Sequence, residues 1–155
     1  GDYTVQIIPQ QRQTAAGKIA GQEIIVKLPA SWDEEARGET LPKLISKVLA
    51  SHFKAPFSAR IAELNAHCFG FHYSDVSFKY NKNNCGNCRH TGHLNFSTLL
   101  FLAPQSVTDY VIIHELAHLQ EHNHSQAFWK LVRQAMPQYE TQVRWLKRYG
   151  SKLYF

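Results

Sequence analysis

The segment His114-Glu115-Leu116-Ala117-His118-Leu119-Gln120-Glu121-His122-Asn123-His124 constrains this chain more than any other stretch. Residues four apart on an α-helix lie one turn above each other on one face, so a helix here aims His114 and His118 at one point. Glu115 lies about 100° further round, able to reach a water at that point without being forced to bind an ion itself. A Zn2+ ion with three protein ligands keeps its fourth position for water and lowers that water's pKa to about 7. Glu115 is then the expected general base, and later the acid that protonates the leaving group.

Helix geometry also selects the third ligand. His122 extends the series, but a straight helix carries it about 12 Å along the axis from His114, whereas zinc–nitrogen bonds are about 2.0–2.1 Å. The chain must turn first. Asn123 tolerates the left-handed conformation that ends many helices, and Ser125 reads as the N-cap of the next helix. His124 is therefore expected to fold back on the ion, leaving His122 as a surface or supporting residue. The competing reading is a chance motif in a chain with nine histidines. Its surroundings oppose that. Ser106-Val107-Thr108-Asp109 resembles a capping box that opens the helix after Pro104. Tyr110, Val111, Ile112, Ile113, Leu116, Ala117 and Leu119 make the helix apolar nearly all round, hence buried. Two histidines and a glutamate buried without partners would be costly, and a metal removes that cost.

A length of 155 residues, 44% of them hydrophobic, suits one domain with a real core, taken as residues 1–155. No apolar run is long enough to span a bilayer and no signal-peptide pattern is read, so no membrane partner is expected. Three cysteines, an odd number, argue against a secreted disulfide framework, and a cytoplasmic setting is the expectation. The net charge of +5 permits weak attraction to nucleic acid. Its modest cluster at Arg144, Lys147, Arg148 and Lys152 reads better as a solvated helix face.

Along the chain, Tyr3-Val5-Ile7 and Ile24-Val26-Leu28 alternate as two paired strands. Residues 29–40 form a polar link with Pro29, Gly38 and Thr40. From Leu41 the set Leu41, Leu44, Ile45, Val48 and Leu49 predicts a helix, with Thr40 as cap and Pro42 in its first turn. A second helix is predicted after Pro56, with Phe57, Ile61, Leu64 and Cys68 on one face. Val76, Phe78 and Tyr80 suggest a strand, Asn81 to Gly92 a turn-rich stretch, and His93 to Ser97 a short strand. Phe128, Leu131, Val132, Ala135 and Met136 predict a helix ended by Pro137, and Val143, Leu146 and Tyr149 a last one.

Cys85-Gly86-Asn87-Cys88, flanked by His90 and His93, has three readings. A structural zinc site, using one or two of Cys68, His90 and His93 as further ligands, is one. A redox pair is another, and a local turn, the preferred reading, is the third. Strand 93–97 also has two. Its polar face of His93, Asn95 and Ser97 either lines a cleft where an extended peptide adds to a strand edge, or is simply a satisfied outer face.

Several separate motifs stand in one order: Gly86-Asn87-Cys88, Gly92-His93-Leu94-Asn95, Pro104, Thr108 through His118, Asn123-His124-Ser125, Phe128-Trp129, Pro137-Gln138-Tyr139 and Trp145-Leu146-Lys147. In this the stretch from about residue 76 to 150 resembles the YgjP-like family of metal-dependent hydrolases, zincin-type metallopeptidases related to SprT-like proteases. The resemblance implies zinc ligands at His114, His118 and His124 with Glu115 catalytic. The family usually shows Arg-Trp-Gly-Ser-Cys where this chain has Asn84-Cys85-Gly86-Asn87-Cys88, so a cysteine replaces a tryptophan. The zinc ribbon of SprT-like proteins is absent, and Glu121 occupies the glycine position of the metzincin pattern.

The expectation is an α+β zincin-like domain, with a small twisted sheet, an active-site helix at about 107–121 and helices behind it. It would hydrolyse amide bonds in peptides or proteins with one catalytic zinc ion. His93, Asn95 and Tyr139 are candidates for substrate or transition-state contacts, and Phe128 and Trp129 for packing the turn under His124. The rival readings are a nucleic-acid-associated protease and a binding module whose metal only holds the fold.

Overall fold

A computed structural model describes residues 4–153, the side chain of Lys152 aside. Tyr3, expected to open the first strand, lies outside these residues. The first sheet holds β1 (Thr4–Gln10), β2 (Ala16–Ala20) and β3 (Glu23–Pro29) in the order β1-β3-β2. The two expected strands do pair, and the pairing is parallel, with Val5 beside Ile24 and Ile7 beside Val26. A parallel pair needs a crossover. The unforeseen β2 supplies part of it, running antiparallel to β3 and joined to it by a turn in which Gly21 takes a φ of 61°. Ile24, Val26 and Leu28 are fully buried beneath α1.

Helix α1 runs unbroken from Glu34 to Cys68, 35 residues, which corrects two expectations. Residues 34–40 are helix rather than link, capped by Asp33, whose carboxylate accepts the Ala36 N–H at 2.8 Å. The two predicted helices are one, with Pro42 and Pro56 inside it. Each interior proline costs about 3 kcal/mol, and burial at both ends of the rod opposes that cost. Ile45, Val48 and Leu49 pack on the first sheet, and Phe57 and Ile61 belong to a second, larger core. Helix α1 thus ties the two halves together. It is not an apolar span: no helix among the described residues is long and apolar enough to cross a membrane.

The second sheet holds β4 (Asp75–Lys79), β5 (Gly86–Cys88) and β6 (His93–Ser97) in the order β4-β6-β5. β4 lies parallel to β6 and β5 antiparallel to it. This corrects the reading of strand 93–97 as an edge: β6 is central, and the edge beside the following helix is β5. Leu94 and Phe96 point into the larger core with Val107, Ile112, Ile113 and Leu116 of α2 (Gln105–Ala117). Helices α3 (Gln126–Ala135) and α4 (Tyr139–Tyr149) close the other side of α2. Arg144, Lys147 and Arg148 are exposed on α4.

Candidate active site

Helix α2 begins at Gln105 after Pro104 with no side-chain cap, so the expected capping box at Ser106 does not form. Asp109 instead crosses to α1. Its two carboxylate oxygens accept Arg60 Nε at 2.9 Å and a terminal guanidinium N–H at 2.7 Å, and Gln105 adds a third bond at 2.8 Å. This two-pronged ion pair fixes the N-terminal turns of α2 against α1, with Asp109 buried.

The other end of α2 is shorter than expected. It closes at Ala117 with His118 as C-cap, and the chain tightens through Leu119 N–H to Leu116 O and Gln120 N–H to Ala117 O. No non-glycine residue among those described has a positive φ, so Asn123 is not left-handed; the direction changes through this tightened turn instead. Ser125 caps α3 as expected, its Oγ accepting the Phe128 N–H at 3.2 Å.

The turn brings His124 back over α2. Its Nε2 lies 3.1 Å from Nε2 of both His118 and His114. These three side chains offer one ligand atom each, all within 4.8 Å of one another. Ligand nitrogens about 2.0–2.1 Å from a tetrahedral ion stand about 3.3–3.4 Å apart, so the observed separations fit a single ion after a few tenths of an ångström of adjustment. The other ring nitrogens have partners of their own. His118 Nδ1–H donates to the Glu121 carbonyl at 2.9 Å, and His114 Nδ1 faces the Tyr110 hydroxyl at 3.4 Å. The carbonyl can only accept, so it holds the His118 proton on Nδ1 and leaves Nε2 as the lone-pair donor; the hydroxyl orients the His114 ring. Burial, reinforced by its two histidine neighbours, pushes the His114 imidazole down to about 3, and burial lowers His118. Both are therefore held in the neutral form that binds a metal.

Phe128, fully buried, lies under the three rings at 4.5–4.9 Å between centroids. Trp129 stacks on His124 at 5.7 Å. The two aromatics thus pack the turn as expected.

Glu115 is 5% exposed, and burial pushes its carboxyl up to about 8. It lines two adjoining clefts between α2 and β5. One, of about 290 Å3, is shared with the three histidines, Gly86, Cys88, His90 and His122; the other, of about 220 Å3, with Cys85, Gly86, Tyr110 and Leu146. Gly86 is needed here. A Cβ on it would stand 2.8 Å from Glu115 Cγ and 2.9 Å from Oε1, so only a glycine lets β5 come this close.

The remaining candidates lie elsewhere. His93 and Asn95 project from the face of β6 opposite Leu94 and Phe96, where both meet the Ser77 hydroxyl, at 2.7 Å and 2.9 Å. Neither lines the clefts beside Glu115; the polar strand face is a satisfied outer one. Tyr139 is buried, stacked between Trp129 and Tyr110. Cys68, Cys85 and Cys88 are free thiols, and no metal cluster of three or more ligands other than the histidine triad occurs among the described residues. The expected local turn is not formed either: Gly86, Asn87 and Cys88 make up strand β5, and Cys85 stands in the bend just before it. The residue missed in the sequence is Tyr110, whose signal was its position one turn before His114.

The family model of the YgjP-like metallopeptidase domain matches residues 2–149. No curated protein sequence matches the chain. Two solved structures resemble it in fold. The metallopeptidase zymogen abylysin of Pyrococcus abyssi is 19% identical with a TM-score of 0.53, over 59% of this chain and 93% of that one. The metallopeptidase zymogen jannalysin of Methanocaldococcus jannaschii is 19% identical with a TM-score of 0.51, over 59% and 92%.

Proposed function

The chain belongs to the YgjP-like family of metallopeptidase domains, and on that premise we propose that it cleaves peptide bonds with a zinc ion held by His114, His118 and His124, and with Glu115 moving the proton. The observation that carries this reading is the convergence of three imidazole nitrogens beside one buried carboxylate. Three histidines with an open fourth position suit a catalytic zinc, whereas structural zinc sites are closed by four protein ligands. When bound, the ion supplies Lewis-acid chemistry, acidifying a water and polarising a substrate carbonyl.

The chain's own residues do the rest. Glu121 O and Tyr110 Oη hold the rings of His118 and His114 so that both Nε2 lone pairs face inward. Glu115 takes the proton of the attacking water on a carboxylate oxygen and delivers it to the departing amine nitrogen. Burial raises its affinity for that proton and a nearby cation lowers it, so the group exchanges a proton close to neutral pH, where such catalysis is most efficient.

The substrate approach is along β5. Ser97 N–H bonds Cys85 O and Arg89 N–H bonds His93 O, so residues 85, 87 and 89 face β6. By alternation, the backbone groups of Gly86 and Cys88 face the open edge. An extended peptide pairing there carries its scissile carbonyl across Glu115.

Incubating wild type and Glu115→Gln with a mixed peptide library tests the reading. The expected result is cleavage by wild type and a loss of about 10²–10⁴-fold in the variant, with the metal content of the two equal. Equal cleavage by both proteins would remove Glu115 from the mechanism.

A further inference from the structure

Two histidines that the proposed chemistry does not use stand together at the mouth of the same cleft. His90 comes from the β5–β6 turn, which is closed by Gly92 N–H to Arg89 O and Arg89 N–H to His93 O, both at 2.9 Å. His122 comes from the turn between α2 and α3. Both are exposed, and both line the 290 Å3 cleft with Glu115 and the histidine triad. Their ring centroids are 4.8 Å apart with 67° between the planes. Within the triad the centroids are 4.8–5.0 Å apart and the planes 45–78°. The pair His118–His124 has the same values as His90–His122, 4.8 Å and 67°. Two imidazoles in edge-to-face contact, carried by separate turns and open to water at the mouth of the cleft, offer a transition-metal ion a pair of borderline-soft nitrogens.

We propose that His90 and His122 bind a second divalent transition-metal ion, zinc among them, and that this ion closes the mouth of the catalytic cleft. The proposal rests on the reading of the triad as the first metal site. With two protein ligands instead of three, the second site is the weaker, and water completes its coordination. It fills at zinc concentrations above those that load the triad, and an ion held there obstructs the path of a peptide along β5 to Glu115. Excess zinc then inhibits the enzyme that stoichiometric zinc activates.

Equilibrium dialysis against increasing free Zn2+, with the bound metal counted, tests this on wild type, His90→Gln, His122→Gln and Glu115→Gln. Wild type and Glu115→Gln are expected to take up two equivalents in separate steps, and each of the other two variants to stop at one. The inhibition of peptide hydrolysis by excess zinc is expected to vanish with the second equivalent. Saturation of wild type at one equivalent, or two equivalents in both histidine variants, would overturn the proposal and identify the ring contact as an aromatic pair alone. Metal counting needs no substrate, so a failure to cleave peptides bears on the proposed function and leaves this count intact. Because His90 and His122 are exposed, their replacement leaves the core untouched.

Discussion

Replacing Gly86 by alanine adds one methyl group at the point where strand and catalytic helix touch. The new Cβ would stand 2.8 Å from Glu115 Cγ, 2.9 Å from Oε1 and 3.0 Å from Cδ. Carbon atoms in contact sit about 3.5–4.0 Å apart, so about 0.7 Å or more of room must be found. Helix α2 cannot supply it, because Leu116 and Ala117 beside Glu115 are completely buried in a close-packed core. Either the carboxylate swings or the β5 edge lifts. Overpacking of this kind costs about 1–3 kcal/mol, which at about 2–4 °C per kcal/mol lowers the unfolding midpoint by roughly 2–12 °C. A reacting group displaced by about 1 Å loses on the order of 10²-fold in rate. The metal should stay, since the nearest atoms to the added carbon all belong to Glu115 and none to the ligand rings. The assay is kcat on a cleaved peptide together with metal content and thermal unfolding. A variant with full metal content and a kcat within about twofold of wild type would refute the claim that this contact positions the base.

Arg60→Ala leaves the buried Asp109 carboxylate with Gln105 as its remaining side-chain partner; it should cost about 2–4 kcal/mol in urea unfolding, and an unchanged midpoint would show that α2 is not held by this pair. Tyr110→Phe keeps the ring and removes the hydroxyl 3.4 Å from His114 Nδ1. Zinc affinity should fall about tenfold or more with little change in stability, as competition with a chelating dye would report.

How much of this was legible beforehand depends on whether the cause lies nearby in sequence. The convergence of His114 and His118 follows from one helical turn. His124 was chosen because a continued helix would carry His122 too far; the choice fits the cluster, but the helix closes at Ala117 and it is the tightened turn after it that brings His124 back. The continuity of α1 was not legible. Pro42 and Pro56 are local breakers, and what overrides them is packing of Val48 and Phe57 against two separate cores that only the folded chain brings together. Strand β2 was hidden because Ala16-Gly17-Lys18-Ile19-Ala20 has little strand propensity and is held by pairing with β3. Strand β5 was hidden because Cys85-Gly86-Asn87-Cys88 has the composition of a turn. The glycine that suggested a bend is there because Glu115 leaves no room for a side chain. Asp109 looked like half of a capping box, and its true partner, Arg60, is 49 residues away.

The most direct test is X-ray absorption at the zinc edge on protein loaded with one equivalent. The geometry of His114, His118 and His124 predicts three imidazole nitrogens at about 2.0–2.1 Å plus one oxygen at about 2.0–2.2 Å, and no sulfur. A sulfur shell at about 2.3 Å would place Cys85 or Cys88 on the ion and contradict the three-histidine site.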